Sequence, residues 1–213
     1  MTRLCCFKQA GRILPNVHQW EPDLPDIERF GPFEDAFLIE PKRFGDERGW
    51  FEEVWNESRF QALVGVTPRF VQDNASRSRT AGTVRGLHFQ SPPMAQAKLV
   101  RCPRGAIYDV IVDIRHGSPT FGQWAGATLT EENGRQIWVP RGFAHGFATM
   151  APDSEIAYKV DNPYSAEHDG GIFWNDPVIG IRWPFDTGTA VTSDKDTSAP
   201  RLADLPVIFR HAS

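Results

Sequence analysis

Apolar and polar residues alternate along much of this chain with a period of two. The alternation is clearest in residues 107–115, where Tyr108, Val110, Val112 and Ile114 share one parity and the charged residues share the other. Successive side chains of a β-strand point to opposite faces, so this pattern predicts a strand with one apolar and one mixed face.

Shorter segments of this kind recur about every 8–12 residues, a spacing typical of an all-β barrel or jelly roll. A short helix is predicted over residues 56–64, because its apolar residues follow the i, i+3, i+4 spacing and Asn56 or Ser58 can cap it. Residues 76–82 are predicted to form a polar turn. The other predicted strands are residues 36–41, 70–74, the segment around His88, 123–129, 135–140, 141–148 and 155–160.

The first 35 residues lack this pattern. Four prolines interrupt every candidate helix in them, so we predict an irregular N-terminal extension. Residues 36–185 contain no internal repeat, low-complexity tract or linker. Residues 36–213 are therefore predicted to be a single domain with a C-terminal tail.

Composition and charge narrow the function classes. The 213 residues carry a formal net charge of −4 at pH 7, which gives no electrostatic basis for binding nucleic acid. No apolar run approaches the roughly 18 residues of a membrane span, and the first residues lack the apolar region of a signal peptide. The three cysteines, Cys5, Cys6 and Cys102, show no metal-binding spacing. Reduced thiols are expected in a cytoplasmic protein.

Residues 85–90, Arg-Gly-Leu-His-Phe-Gln, contain the strongest candidate for chemistry. Histidine exchanges protons near neutral pH, and nearby cations suit proton removal next to a carbonyl group. Strict alternation places His88 and Gln90 on one face and Arg85 on the other. A hydrogen-bonded histidine in a β core gives the same pattern, so this segment alone does not separate the two interpretations.

Several other chemistries are disfavoured. Residues 140–145 match half of a metal-cupin pattern, but Phe89 and Gln90 follow His88, without the second histidine that such a site needs. The chain has no Gly-x-Ser-x-Gly elbow and no glycine-rich phosphate loop before a helix. Proton transfer without a cofactor remains, although Tyr158 fits a core aromatic equally well. The candidates for proton transfer are His88 as base, Tyr158 as acid, Lys98 beside a developing enolate, and His145 as a second polar group.

A series of motifs in one order carries a family resemblance. The motifs lie at residues 44–49, 70–74, 85–90, 98–102, 117–122, 140–147, 174–177 and 195–196. Each motif alone is weak, but together, from about Phe37 to Leu202, they resemble the dTDP-4-dehydrorhamnose 3,5-epimerase family. This resemblance implies a metal-free, cupin-type jelly-roll barrel with a few short helices, and a homodimer that shares β-strands across its interface.

The resemblance also implies a reaction and its residues. The expected reaction is cofactor-independent epimerisation at C3 and C5 of dTDP-4-dehydro-6-deoxy-D-glucose, giving dTDP-4-dehydro-L-rhamnose. By motif match, His88 is the base, Tyr158 the acid and Asp196 the carboxylate that orients the histidine, while Lys98 completes the catalytic set. The matched substrate-binding positions are Arg48, Glu53, Gln72, Asp73, Asn74, Arg85, His145, Asp169 and Lys195.

Three departures from the family pattern are visible. Ala97 replaces a usual glycine, Asp169 replaces a usual glutamate, and Pro163-Tyr164 replaces a pair of aromatic residues. Two alternatives therefore stay open beside the double epimerase. One is a mono-epimerase that acts only at C3 or only at C5 of another dTDP-deoxysugar, and the other is a non-catalytic cupin that binds a sugar nucleotide.

Overall fold

Two antiparallel sheets packed face to face form most of the structure, a computed structural model that describes residues 25–211. The strands are β1 (Asp26–Arg29), β2 (Phe37–Glu40), β3 (Arg43–Asp46), β4 (Gly49–Glu52), β5 (Gln72–Ser78), β6 (Val84–Gln90), β7 (Lys98–Arg104), β8 (Ala106–Asp113), β9 (Arg115–His116), β10 (Trp124–Thr130), β11 (Gln136–Val139), β12 (Phe143–Thr149), β13 (Ser154–Val160), β14 (Asp169–Gly171) and β15 (Phe209–Arg210). The helices within residues 25–211 are α1 (Glu57–Val64), α2 (Asp194–Thr197) and two 3₁₀ turns, Thr187–Thr189 and Leu202–Asp204.

The strand order confirms the predicted all-β, jelly-roll class. One sheet has the order β1-β2-β11-β7-β13-β5 and the other has the order β10-β8-β12-β6-β14. Two short pairs, β3 with β4 and β9 with β15, lie outside these sheets. Most neighbours in each sheet are distant in sequence, as expected for a jelly roll rather than a meander. Within residues 25–211, no helix is long and apolar enough to cross a membrane.

The predicted helix is confirmed with its cap. The Asn56 side chain accepts a hydrogen bond from the backbone N–H of Arg59, and α1 ends at Gly65 in the left-handed region. Phe60 is the buried residue of α1 and packs edge-on against Trp138 of β11. This helix therefore covers part of the outer face of the six-stranded sheet.

Two predictions about irregular segments are wrong. A polar turn is predicted for residues 76–82, but residues 76–78 continue strand β5. Strand β5 is an edge strand, and its exposed positions tolerate polar side chains. Residues 26–29, predicted to be irregular, form β1 and pair with β2. Residues 1–24 of the predicted extension lie outside the described residues.

The alternation in residues 107–115 is confirmed by the packing of β8. Ile107 and Ile111 lie in a core cluster with Ile137 of the facing sheet, between the two sheets. Val110 and Val112 face the other way and pack under the C-terminal third of the chain. Both faces of the five-stranded sheet are therefore covered.

A buried carboxylate holds the turn formed by residues 117–122. Asp113 accepts hydrogen bonds from Arg115 at 2.9 Å, Ser118 at 2.6 Å and Thr120 at 2.7 Å. Burial opposes the ionisation of Asp113, but these donors outweigh it and lower the pKa of the carboxyl group. Arg115 also pairs with Asp35 at 2.6 Å. This sequence motif therefore has a structural role in fixing the chain around β8 and β9.

Candidate active site

A cleft of about 480 Å³, here called the inner cleft, lies between the two sheets. The five-stranded sheet contributes Arg85, His88 and His145 to its lining, and the six-stranded sheet contributes Lys98 and Tyr158. An adjoining outer cleft of about 330 Å³ shares His88, Lys98 and Tyr158. Polar groups from both sheets thus meet in a space of the size that small-molecule sites have.

An irregularity in the sheet brings Arg85 and His88 into the same cleft. The prediction that they face opposite sides is wrong. His88 lies opposite His145, and Arg85 lies opposite Phe147, so three steps along β6 match two steps along β12. The extra residue of such a β-bulge reverses the alternation on its strand. Arg85 therefore lines the inner cleft together with His88.

Glycine is required within this bulge. Gly86 has a φ of +125°, which L side chains rarely adopt. A Cβ atom on Gly86 would lie 2.6 Å from the Cα of Gly146 and 2.9 Å from the carbonyl oxygen of His145. A side chain at position 86 would therefore push β6 and β12 apart at the cleft.

A short hydrogen bond joins His88 to Asp196. The Nε2 atom of His88 lies 2.6 Å from Oδ1 of Asp196. Because the carboxylate accepts this bond, Nε2 carries the proton and Nδ1 is the nitrogen that can accept one. The His88 side chain is 34% exposed and that of Asp196 only 5%. The imidazole therefore reaches the cleft while its partner is sheltered from water.

Asp196 is held in its ionised form. Burial opposes ionisation, but hydrogen bonds from His88, Ser193 and the backbone N–H of Gly86 outweigh it and keep the pKa of Asp196 below its usual value. Asp196 lies in α2, whose N-cap Ser193 accepts from the Asp196 N–H. An ionised carboxylate here stabilises an imidazolium, so the pair suits a histidine that gains a proton.

A second histidine–aspartate pair lies on the neighbouring strands, where His145 of β12 is opposite His88 of β6. His145 Nε2 is 2.9 Å from Oδ2 of Asp109, and both residues are buried. Burial lowers the pKa of His145, although the Asp109 carboxylate opposes the shift. His145 is therefore a neutral ring at neutral pH, with Nε2–H donating to Asp109 and the ring fixed in the cleft wall.

Lys98 is a buried amine in the same space. Burial lowers the pKa of Lys98 from its ordinary 10.5 to about 8, and the charges of Asp109 and Asp169 oppose the shift. The amine is therefore mostly protonated at neutral pH. A buried ammonium group interacts strongly with negative charge that develops beside it.

Tyr158 stands on the opposite sheet from His88. It lies on β13, whereas His88 lies on β6, and both line the inner and the outer cleft. Burial raises the pKa of the Tyr158 phenol, Asp169 adds to the shift, and Arg85 opposes it. The phenol therefore keeps its proton near neutral pH and can donate it to a group in the cleft.

Comparison with known proteins identifies the family. Residues 31–204 match the family model for dTDP-4-dehydrorhamnose 3,5-epimerase. The chain belongs to this family. It is 58% identical over 174 residues to the dTDP-4-dehydrorhamnose 3,5-epimerase of Sinorhizobium fredii, which covers 82% of this chain and 88% of the relative.

Solved structures show the same relationship. The dTDP-6-deoxy-D-glucose-3,5-epimerase of Legionella pneumophila, in complex with dTDP-4-keto-L-rhamnose, matches with a TM-score of 0.84 and 43% identity, covering 89% of this chain and all of that one. A 3′-monoepimerase of Streptomyces bikiniensis, in complex with dTDP-quinovose, matches with a TM-score of 0.77 and 32% identity, covering 83% of this chain and 88% of that one.

The three residues that match the epimerase family's nucleotide-binding run face two directions. Gln72 and Asn74 line the outer cleft, and the Gln72 side chain donates to Asn74 at 2.7 Å. Asp73 lies between them on β5 and faces the other side of the sheet, where it pairs with Lys159 at 2.9 Å. There it lines a groove of about 540 Å³ beside Trp55. The structure therefore separates Asp73 from the cleft of His88.

Arg48 and Glu53, also matched to epimerase positions, lie away from the inner and outer clefts. Arg48 is in the turn of the β3–β4 hairpin and bonds with Asp46. Glu53 accepts hydrogen bonds from Asn56 at 3.2 Å and Arg59 at 2.8 Å at the start of α1. Within a single chain, neither the Arg48 guanidinium nor the Glu53 carboxylate reaches the residues around His88.

Asp169 and Lys195 lie together at the outer cleft. The Lys195 amine is 2.5 Å from Oδ2 of Asp169, and Tyr164 OH donates to the same oxygen at 3.2 Å. Neither Tyr164 nor Asp109, the partner of His145, is among the site residues predicted from the sequence. Asp109 could have been found from the sequence, because it is a charged residue inside the apolar alternation of β8.

Proposed function

We propose that this chain epimerises C3 and C5 of dTDP-4-dehydro-6-deoxy-D-glucose, without a cofactor, to give dTDP-4-dehydro-L-rhamnose. One observation carries the proposal: His88, backed by ionised Asp196, and protonated Tyr158 stand on opposite sheets of one cleft. A base on one side and an acid on the other are what inversion of a carbon centre requires. Membership of the epimerase family and the ligand of the Legionella pneumophila structure support this substrate class.

The chemistry consists of two similar proton exchanges. His88 Nδ1 removes the proton from a carbon next to the C4 ketone, and the electron pair of the broken C–H bond forms an enolate. Protonated Lys98 stabilises the charge on the C4 oxygen, while neutral His145, bonded to Asp109, is a polar group in the cleft wall. Tyr158 then protonates the carbon from the opposite face, which inverts it. Exchange with solvent returns a proton to Tyr158 and removes one from His88 before the second centre reacts.

Binding of the nucleotide is proposed to involve a homodimer. Arg85, Gln72, Asn74, Asp169 and Lys195 line the clefts of one chain, beside His145. Arg48, Glu53 and Asp73 do not, so their proposed contact with the diphosphate or base requires a second subunit. Arginine suits this task because its planar group makes paired bonds to phosphate oxygens.

A cytoplasmic location fits the free, buried Cys102.

A mono-epimerase is the second candidate, because the chain also matches the 3′-monoepimerase of Streptomyces bikiniensis. The test is incubation with dTDP-4-keto-6-deoxyglucose in D₂O, followed by mass spectrometry and proton NMR of the sugar. We expect deuterium at both C3 and C5, with inversion at both. Deuterium at one centre identifies a mono-epimerase. Binding without any exchange identifies a non-catalytic sugar-nucleotide cupin and overturns the proposal.

The pH dependence of kcat/KM, which reports groups of the free enzyme, is expected to show an alkaline limb set by Lys98. Above pH about 8 the amine loses its charge, so the rate falls about tenfold per pH unit. The raised pKa of Tyr158 places loss of its proton at higher pH. The folded pKa of Lys98 lies below the unfolded value, so its burial penalty disappears and stability rises between pH about 8 and 10.5. Unfolding caused by this group cannot explain the limb.

The matched variant for this pH profile is Lys98→Arg, because a guanidinium keeps its charge throughout this range. Whatever activity the variant retains is expected to show the alkaline limb moved to higher pH. An unmoved limb in Lys98→Arg assigns the titration to another group.

A further inference from the structure

Three side chains from separate segments meet at the mouth of the outer cleft. Oδ2 of Asp169, on strand β14, accepts from the Lys195 amine at 2.5 Å and from Tyr164 OH at 3.2 Å. The Tyr164 backbone N–H donates to Gln72 of the facing sheet at 3.0 Å. We call Asp169, Lys195 and Tyr164 the Asp169 cluster. This cluster connects β14 at the edge of the five-stranded sheet, the loop that precedes β14, and the short helix α2.

The cluster lies directly beside the His88–Asp196 pair. Within β14, Asp169 pairs with Gln90, and Gly171 pairs with His88, so Asp169 is anchored to the strand that carries His88. Lys195 precedes Asp196 in α2. The ion pair therefore joins the strand next to His88 to the helix that carries the partner of His88.

Helix α2 depends on such contacts for its position. It has only 4 residues, from Asp194 to Thr197, and such a helix is not stable in isolation. Its N-cap Ser193 and the bond from Gly86 N–H hold one side of Asp196. The Lys195–Asp169 ion pair holds the side of α2 that faces the outer cleft, where the Lys195 side chain is 52% exposed and that of Asp169 only 18%.

We propose that Asp169 is a positioning residue: through Lys195 it fixes α2, and thereby keeps the Asp196 carboxylate in hydrogen-bond contact with His88 Nε2. The inference rests on the proposed role of His88 as base. A small displacement of α2 lengthens a bond that is now 2.6 Å, so the imidazolium loses its stabilising partner. Misplacement of a catalytic pair by about 1 Å reduces rates by up to about 10²-fold.

The first test compares kcat and KM of Asp169→Asn and Lys195→Met. We expect both variants to lose roughly tenfold to a hundredfold in kcat, with little change in KM. We also expect the double variant to lose no more than either single variant, because both remove the same link. Asp169→Glu keeps the charge and is expected to retain most of the kcat that Asp169→Asn loses.

A direct effect of charge and a direct contact with substrate each give a different result. If the two charges act directly on His88, removing an anion and removing a cation change kcat in opposite directions. If both residues only contact the substrate, KM rises and kcat stays the same. Either result overturns the proposal. Arg135→Met is the matched control, because it removes a cation from an exposed ion pair with Glu40 and lies outside the clefts. This variant is expected to keep wild-type kcat and KM.

The second test detects the His88–Asp196 hydrogen bond directly, in enzyme that has no substrate bound. Proton NMR of the unliganded enzyme with ¹⁵N-labelled histidine reports the Nε2–H of His88, assigned by its absence in His88→Gln. We expect this signal to weaken or shift in Asp169→Asn and Lys195→Met, and to persist in Asp169→Glu and Arg135→Met. An unchanged signal in the first two variants overturns the proposal. If the wild type fails the D₂O test but the NMR signals change as expected, the proposed function fails and the positioning role stands.

Discussion

His88→Asn is expected to lose epimerisation by roughly 10²–10⁴-fold, the range typical of general acid–base catalysis, while it keeps its affinity for dTDP. The shorter asparagine side chain places no basic nitrogen in the cleft and cannot accept a proton near neutral pH. Because His88 is proposed to remove both protons, deuterium incorporation from D₂O is expected to fall equally at C3 and C5. The measurement is the rate of incorporation at each carbon, with affinity for dTDP determined by calorimetry.

Folding of His88→Asn has to be checked separately. Asp196 is nearly buried and loses one of its hydrogen-bond donors in the variant, so the melting temperature is expected to fall. Activity is therefore compared well below the melting transition, with Arg135→Met as the folded control. Full turnover in folded His88→Asn would show that His88 is not the base. Unchanged affinity, with no turnover in the wild type either, would identify a binding module.

Tyr158→Phe is expected to lose inversion at both centres by at least roughly 10²-fold, while His88-dependent exchange continues. Phenylalanine keeps the ring that packs against the core between the sheets but removes the hydroxyl group. His88 can still remove a proton and return one to the same face. We therefore expect deuterium to enter the starting sugar with retention of configuration, observed by NMR as exchange without epimer.

The control for this variant is Tyr108→Phe. Tyr108 is also partly buried, and burial raises its pKa as well, but it packs against Trp183 on the far face of the five-stranded sheet. Its activity is expected to equal that of the wild type. Inversion at the normal rate in Tyr158→Phe contradicts the assignment of Tyr158 as acid. Loss of exchange together with inversion shows that Tyr158 also acts in proton removal.

The local pattern of the chain determined its secondary structure. Alternation in residues 107–115 correctly predicts β8 and the direction of its side chains, because a strand with both faces covered needs apolar residues of both parities. The spacing of apolar residues and the cap at Asn56 correctly predict α1, because both depend on contacts within a few residues. The ordered series of motifs also indicated the epimerase family.

Local patterns fail where an element is defined by its neighbours. Strand β5 continues to Ser78 through polar residues, because its place at the sheet edge supplies the pairing that its composition does not predict. The split of Gln72 and Asn74 from Asp73 follows from simple alternation. Which face of β5 lines the cleft depends on the side on which the five-stranded sheet packs.

The candidate site itself was decided by the tertiary structure. Arg85 shares the cleft with His88 only because the register of β6 against β12 slips by one residue, and this depends on two strands that are distant in sequence. Likewise, Asp109 meets His145, and Asp169 meets Lys195, through contacts between residues 36 and 26 positions apart. The sequence alone determined which residue types and strands were available. Only packing of the two sheets and of α2 determined which of them meet, because hydrogen bonds and pKa shifts depend on distances of a few ångströms.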